Sequence, residues 1–181
     1  RSRGLGDVYK RQLLEQVTDD VVRSAFDSAG QRCSALRVLC VQEEIYDDLK
    51  DMIIGNMQIQ TVGDPNFFDT DIGPIINDKA YKKLTSYISL CSEKGYKIHQ
   101  PNQKVSDMHI APTLIEINSI SNITEEQFGP ILHILKYSSN EIDELINQIN
   151  RSEYGLTMGI HSRIEARADY MSSRSNVGNI Y

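Results

Sequence analysis

The sequence lacks any apolar run near the roughly eighteen residues that a membrane-spanning helix requires, so no transmembrane segment is predicted. Cysteine is also scarce. The three cysteines, Cys33, Cys40 and Cys91, are odd in number and widely spaced along 181 residues. This usage argues against a disulfide framework and favours a reducing, cytoplasmic location, with peripheral attachment of a longer parent protein to the inner membrane left open.

Basic residues are outnumbered, with 19 Lys and Arg against 25 Asp and Glu, which gives a net charge of −6. Because nucleic-acid binding needs a basic face, no nucleic-acid partner is predicted. The four histidines are scattered, without the close His or Cys pairing of a zinc site, so no metal is predicted. No P-loop and no G-x-G-x-x-G pattern is present. A small-molecule substrate remains the expected partner.

The first twelve residues carry four basic side chains and no apolar core of the kind that a secretory signal has. We interpret residues 1–12 as a leader foreign to the rest of the chain, and residues 13–181 as one domain. The last residues, Asn179 to Tyr181, fall inside an apolar, strand-like run. We therefore expect a domain that is truncated at both ends.

Helical and strand-like patterns alternate along the domain, which predicts an α/β fold. Helices are expected at 17–28, at 43–60, after Asn77 to 93, after Asn140 through the apolar repeat that reaches Ile149, and after Ser162 to about 173. Asn77, Asn140 and Ser162 would be N-caps, and Gly95 a C-terminal stop. Strands are expected at 36–41, 111–117, 131–137 and 156–161. The run 36–41 is apolar on both faces, which is typical of a buried parallel strand.

Cys33 lies in the segment Gly30-Gln31-Arg32-Cys33-Ser34, between a predicted helix and a predicted strand. The glycine allows a sharp turn, and an adjacent arginine and helix end would favour the thiolate. A free cysteine is often only a small buried residue, so the pattern alone leaves both interpretations open. Cys40 and Cys91 fall on apolar faces and are predicted to pack in the core.

A second segment, Glu126-Gln127-Phe128-Gly129-Pro130, precedes the strand at 131–137. Taken alone, it is a turn with a solvated glutamate. His133 lies within the strand and is expected to be a structural histidine rather than a base.

Together these segments resemble the aldehyde dehydrogenase superfamily, and most closely its 1-pyrroline-5-carboxylate dehydrogenase branch of the bifunctional proline-utilisation type. The supporting motifs, in chain order, are Gln31 to Val38, Gly63-Asp64-Pro65, Thr70 to Pro74, Glu126 to Pro130, Tyr154 to Thr157 and Gly178 to Tyr181. The resemblance implies a catalytic domain with a mostly parallel sheet flanked by helices. It also implies oxidation of glutamate semialdehyde to glutamate in proline catabolism.

The resemblance assigns roles to four residues. Cys33 would be the nucleophile, Ser34 would contact the substrate, and Glu126 and Phe128 would bind the ribose and the nicotinamide of NAD. FAD would belong only to a separate proline dehydrogenase domain of the parent, which is expected to be a homo-oligomer. The family's general base, its oxyanion-hole asparagine and its cofactor domain would lie upstream, and its substrate-carboxylate loop downstream.

Three other interpretations stay open. A different aldehyde dehydrogenase would share most of these motifs, and a stand-alone pyrroline-carboxylate dehydrogenase would share the substrate. A cysteine hydrolase, or a non-catalytic scaffold on the same fold, is the alternative from another class. The hydrolase requires a histidine close to Cys33 in space.

Overall fold

The computed structural model describes the backbone of residues 4–152 and 155–181, and side chains from Leu13 onward. Residues 1–3 of the predicted leader and Tyr154 of one predicted motif lie outside the described residues. The described part of the chain contains five α-helices and six strands. In chain order they are α1 (Gly4–Phe26), β1 (Val38–Gln42), α2 (Tyr46–Ile59), α3 (Asp78–Glu93), β2 (Ile98–His99), β3 (Thr113–Ile117), β4 (Ile131–Tyr137), α4 (Ile142–Arg151), β5 (Thr157–Met158), α5 (Glu165–Ser172) and β6 (Asn179–Ile180).

Four strands form the main sheet in the order β1-β4-β3-β2. The pairs β1–β4 and β3–β4 are parallel, and only the two-residue strand β2 runs antiparallel. The α/β prediction with a mostly parallel sheet is therefore confirmed. β5 and β6 form a separate parallel pair. This pair joins residues 155–157 of the predicted motif that begins at Tyr154 to the predicted motif that begins at Gly178.

The core lies where the helices cover the sheet. β4 is buried along most of its length because it is central, whereas β1 at the sheet edge is mostly half-buried. The largest fully buried apolar side chains are Phe26, Ile53, Met57, Ile72, Leu114, Ile115, Ile131, Leu132 and Ile134. In the described part of the chain, no helix is long and apolar enough to span a bilayer.

Several predicted boundaries were wrong. α1 begins at Gly4 rather than Val17, because the apolar periodicity that marks a helix in sequence is present only in its second half. Leu156 to His161 contributes just the two-residue strand β5. Before α4 the chain first makes a 3₁₀ turn, where the backbone N–H of Ser138 donates to Glu141 Oε2 at 2.9 Å, so Asn140 lies inside a turn rather than at a cap.

The caps of α3 are as predicted. Asn77 Oδ1 accepts a hydrogen bond from the N–H of Ala80 at 2.8 Å, which satisfies one of the unpaired donors at the helix start. Gly95 follows the helix with φ of 80°, in the left-handed region that glycine adopts without a steric penalty.

A tight left-handed turn follows α1. Ser28, Ala29 and Gly30 have φ values of 57°, 53° and 62°. Gly30 lies directly against the backbone of Gly129, since a Cβ added to Gly30 would come within 2.1 Å of Gly129 O. Ser28 and Ala29 adopt a similar φ with side chains, so it is the lack of space that requires glycine at position 30, where the positive φ adds strain to any substitution.

This contact predicts unequal effects of two glycine substitutions in the 181-residue chain. Gly30→Ala should lower the free energy of unfolding by about 3 kcal/mol or more, because strain and overlap add. Gly95→Ala should lower it by only about 1 kcal/mol, because a Cβ at Gly95 meets no atom within 4 Å and only the backbone strain remains. Urea denaturation measures both. Equal losses would show that the Gly30–Gly129 contact is not tight.

Candidate active site

Cys33 lies on an exposed turn between α1 and β1. The N–H of Ala35 donates to the carbonyl of Arg32 at 3.2 Å and closes this turn around Cys33 and Ser34. Ser34 is also exposed and lines a polar cleft of about 270 Å³ against the end of α1. The thiol and the neighbouring hydroxyl are therefore both accessible from solvent.

Gln31 connects the Cys33 turn to the loop that contains Gly73 and Pro74. Its Nε2 donates to Pro74 O at 3.1 Å, and its Oε1 accepts from the N–H of Ile76 at 2.8 Å. That loop is closed on itself by the N–H of Gly63, which donates to Ile72 O at 3.0 Å. The side chain of Gln31 thus joins the predicted motif that begins with it to the predicted motif that ends at Pro74.

The segment that contains Glu126 and Phe128 lies beside the same turn. It leads into β4, and the Cys33 turn leads into β1, so both precede neighbouring parallel strands. Loops that precede adjacent parallel strands lie at the same end of a sheet, which here is the end where β1 and β4 begin. Gly30 contacts Gly129 directly at this point. The structure therefore brings together the segments of Cys33 and Glu126, which are distant in sequence.

Arg37 binds both segments with one guanidinium group. NH1 donates to Gly30 O at 2.6 Å and to Gly129 O at 3.4 Å, and NH2 donates to Arg32 O at 2.9 Å. Nε donates to Glu126 Oε1 at 3.2 Å. Burial lowers the pKa of Arg37, while the hydrogen bond and charge of Glu126 oppose that shift, so the group stays a cation.

Phe128 is 47% exposed, although it is aromatic. Its ring lies 4.9 Å from Arg37 Cζ, within the range of a cation–π contact. One carboxylate oxygen of Glu126 binds Arg37, and its Oε2 accepts no hydrogen bond from the part of the chain that the structure describes. Arg37 thus holds an exposed ring and a half-free carboxylate, while its NH2 binds the carbonyl that precedes the exposed Cys33. A ring and a carboxylate arranged in this way can bind a polar, planar ligand.

His133 is a structural residue, as the sequence predicts. It is buried in β4, where Nδ1 lies 3.0 Å from Arg37 O and Nε2 lies 2.8 Å from the hydroxyl of Tyr87. Burial lowers the pKa of His133 to about 4, so the ring is neutral near pH 7. Its Nδ1–H therefore donates to Arg37 O, and its Nε2 accepts from Tyr87.

Three of the four described histidines make hydrogen bonds, all of them away from Cys33, and His161 makes none with the described residues. His133 bonds Arg37 O and Tyr87, His99 bonds Glu116, and His109 bonds the carbonyls of Asp107 and Gly63. None of these contacts forms the Cys–His pair that a cysteine hydrolase uses. Among the described residues, no three His, Cys, Asp or Glu side chains are grouped as a metal site would need.

Neither a role for Arg37 nor the hydrogen bonds from Gln31 to the loop of Pro74 were predicted from the sequence. The only available signal for Arg37 was a lone arginine at the start of an otherwise apolar strand. A cation in that position requires buried partners, but the pattern does not show which ones. Its partners are mostly backbone carbonyls, which have no signature in sequence.

The model of the aldehyde dehydrogenase family matches residues 8–181. The match begins five residues before Leu13, and the interpretation of residues 1–12 as a foreign leader stays a prediction. Bifunctional protein PutA of Klebsiella aerogenes is 44% identical over 177 residues, which is 93% of this chain and 14% of that protein. 1-Pyrroline-5-carboxylate dehydrogenase 1 of Halalkalibacterium halodurans is 30% identical and is covered over 33% of its length.

Solved structures agree with these relatives. A crystal structure of bifunctional proline utilization A superposes with a TM-score of 0.89 at 40% identity, over 93% of this chain and 17% of that one. Betaine aldehyde dehydrogenase from Staphylococcus aureus in complex with NAD+ superposes with a TM-score of 0.84 at 25% identity, over 92% of this chain and 34% of that one. The chain thus spans a small part of each protein that it matches.

The three cysteines differ in a way that predicts selective labelling. Burial raises the pKa of Cys40 to about 12 and also raises that of Cys91, so both thiols are protonated at pH 8. Cys33 is exposed. Iodoacetamide at pH 8 should therefore modify Cys33 at least about tenfold faster than the other two, because burial both shields a thiol from the reagent and disfavours the thiolate that reacts. Mass spectrometry of peptides measures the three rates, with Cys33→Ser as the control that removes the fast phase.

Proposed function

The chain belongs to the aldehyde dehydrogenase family, and we propose that it is the nucleophile-bearing segment of a longer NAD-dependent enzyme. That enzyme oxidises L-glutamate 5-semialdehyde, the open form of 1-pyrroline-5-carboxylate, to L-glutamate. The observation that supports the proposal is the contact of Gly30 with Gly129, beside which Arg37 hydrogen-bonds both the Cys33 turn and Glu126. The substrate is proposed from the relatives, several of which are named for proline utilisation or pyrroline-carboxylate oxidation.

In the proposed mechanism, the Cys33 thiolate attacks the aldehyde carbon and forms a C–S bond, while the carbonyl electron pair moves onto oxygen. The backbone N–H of Cys33 donates no hydrogen bond in the described part of the chain, so it is free to bind this oxyanion. Collapse of the tetrahedral adduct expels a hydride and leaves a thioester on Cys33. Water then adds to the thioester carbon and the C–S bond breaks, which releases the carboxylic acid and the Cys33 thiolate, with one proton passing to solvent.

Bound NAD supplies the hydride acceptor. The described residues fit its nicotinamide riboside end in two respects. Glu126 has one uncommitted carboxylate oxygen, and a carboxylate accepts strong hydrogen bonds from a ribose diol. Phe128 presents an exposed ring beside the same turn, which a nicotinamide ring can pack against. Ser34, accessible next to Cys33, offers a hydroxyl to the substrate.

In the longer enzyme, Cys33→Ala should abolish aldehyde-dependent formation of NADH, because the covalent step is lost. Cys91→Ala is the matched control: it removes a buried thiol, costs about 1–3 kcal/mol of stability and should keep activity. The kcat/KM for glutamate semialdehyde should exceed those for succinate semialdehyde and a simple aliphatic aldehyde. Retained activity in Cys33→Ala would refute the nucleophile, and preference for another aldehyde would refute the substrate.

Glu126→Gln should slow hydride transfer about tenfold or more, because a neutral amide holds the ribose less firmly and a misplaced nicotinamide reacts slowly. Stopped-flow measurement of the first turnover isolates this step. Glu125→Gln is the matched control, since Glu125 is exposed and pairs with Lys83 at 2.9 Å. If both variants transfer hydride at the unaltered rate, Glu126 is only a surface partner of Arg37.

A further inference from the structure

Arg37 makes four hydrogen bonds at the proposed site, three to the backbone carbonyls of Gly30, Arg32 and Gly129 and one to the carboxylate of Glu126. We propose that Arg37 is a positioning residue, which aligns the Cys33 N–H as an oxyanion donor and holds Glu126 in register with it. The inference rests on the proposed function, because it assigns Arg37 to the same site. Arg37 itself is not proposed to touch the substrate.

The alignment of the Cys33 N–H follows from the geometry of one peptide unit. Arg37 NH2 donates to Arg32 O at 2.9 Å, and this carbonyl belongs to the same peptide group as the N–H of Cys33. The peptide is planar and trans, so the N–H points opposite to the C=O. A charged donor on the carbonyl therefore fixes the direction of the N–H. It also makes that N–H a better donor, because linked hydrogen bonds polarise one another.

The guanidinium group of Arg37 also contacts the two residues that are proposed to bind the cofactor, Glu126 and Phe128. Its Nε binds Glu126 Oε1 at 3.2 Å, which leaves Oε2 for a ligand, and Cζ lies 4.9 Å from the Phe128 ring. The two charged side chains are only 15% and 28% exposed. A pair that is largely shielded from water holds its geometry more firmly than a surface pair does, and removing one partner is strongly unfavourable.

The backbone of Arg37 is itself held in place. Its carbonyl accepts from the N–H of His133 at 2.9 Å, and the Nδ1 of His133 lies 3.0 Å from the same oxygen. The guanidinium therefore extends from a fixed point immediately before β1. Lysine would keep the charge but supplies three donors from a single nitrogen, so it does not reproduce the planar fork that reaches Glu126, Gly30 and Arg32 together.

The first test compares Arg37→Lys with Arg167→Lys by hydrogen exchange in the 181-residue chain without cofactor. Arg167 is the matched control, because its NH1 donates to Gln42 Oε1 at 2.7 Å at the other end of β1. Arg37→Lys should speed exchange about tenfold at the amides of Ala35 and Ile131, and leave Leu114 in the core unchanged. Uniform acceleration, or acceleration in only one of the two segments, would overturn the inference.

The second test is a double-mutant cycle in the longer enzyme. If Arg37 places Glu126, then Arg37→Lys should weaken NAD binding about tenfold alone, but hardly at all in a Glu126→Ala background. Thioester formation at Cys33 should slow in both backgrounds, because the bond to Arg32 O is lost in each. Additive losses in NAD affinity would contradict the coupling. An Arg37→Ala variant should regain part of its rate with added ethylguanidinium, which a purely structural loss would not do.

The failures of the two proposals are distinguishable. A longer enzyme that forms no NADH with any aldehyde refutes the proposed function, and with it the roles assigned to Cys33 and Glu126. An active enzyme whose Arg37→Lys variant matches Arg167→Lys in hydrogen exchange, NAD affinity and rate refutes the Arg37 inference alone.

Discussion

The geometry of the site depends on the contact between two stretches of backbone at Gly30 and Gly129. A side chain at Gly30 would overlap Gly129 O, and a Cβ at Gly129 would lie 2.6 Å from a methyl group of Leu84. Because neither residue has a side chain, the turn after α1 packs directly against the loop before β4, and that loop packs directly against helix α3. Arg37 then binds carbonyls on either side of this contact, and it reaches both because they lie so close together.

Local signals in the sequence predicted the elements whose boundaries are set locally. Asn77 and Gly95 mark the two ends of α3 because a cap and a left-handed stop each act through neighbouring backbone groups. The strand β4 was predicted to the residue, since it is apolar and of strand length. The family resemblance supplied the pairing of Cys33 with Glu126, which no periodicity in the chain reveals.

Features that depend on tertiary contacts were not predictable. The short strand β2 exists only because Ile98 and His99 pair with Ile115 and Leu114 of β3. The first half of α1 has no apolar periodicity to mark it. Arg37 went unrecognised because its partners come from a turn and from a distant loop, so its importance appears only when β1 and β4 are side by side.

The pairing of β1 with β4 also affects how the chain folds. Arg37 and His133, which share a hydrogen bond across this pair, are 96 positions apart in the sequence. Closing so long a loop costs conformational entropy before any contact compensates for it, which makes such pairings slow to form. The Cys33 turn is therefore expected to acquire its final geometry late, when most of the intervening chain is already in place. In a nascent or partly folded chain the Cys33 peptide is not yet held by Arg37, so the oxyanion donor proposed for it depends on completion of the fold.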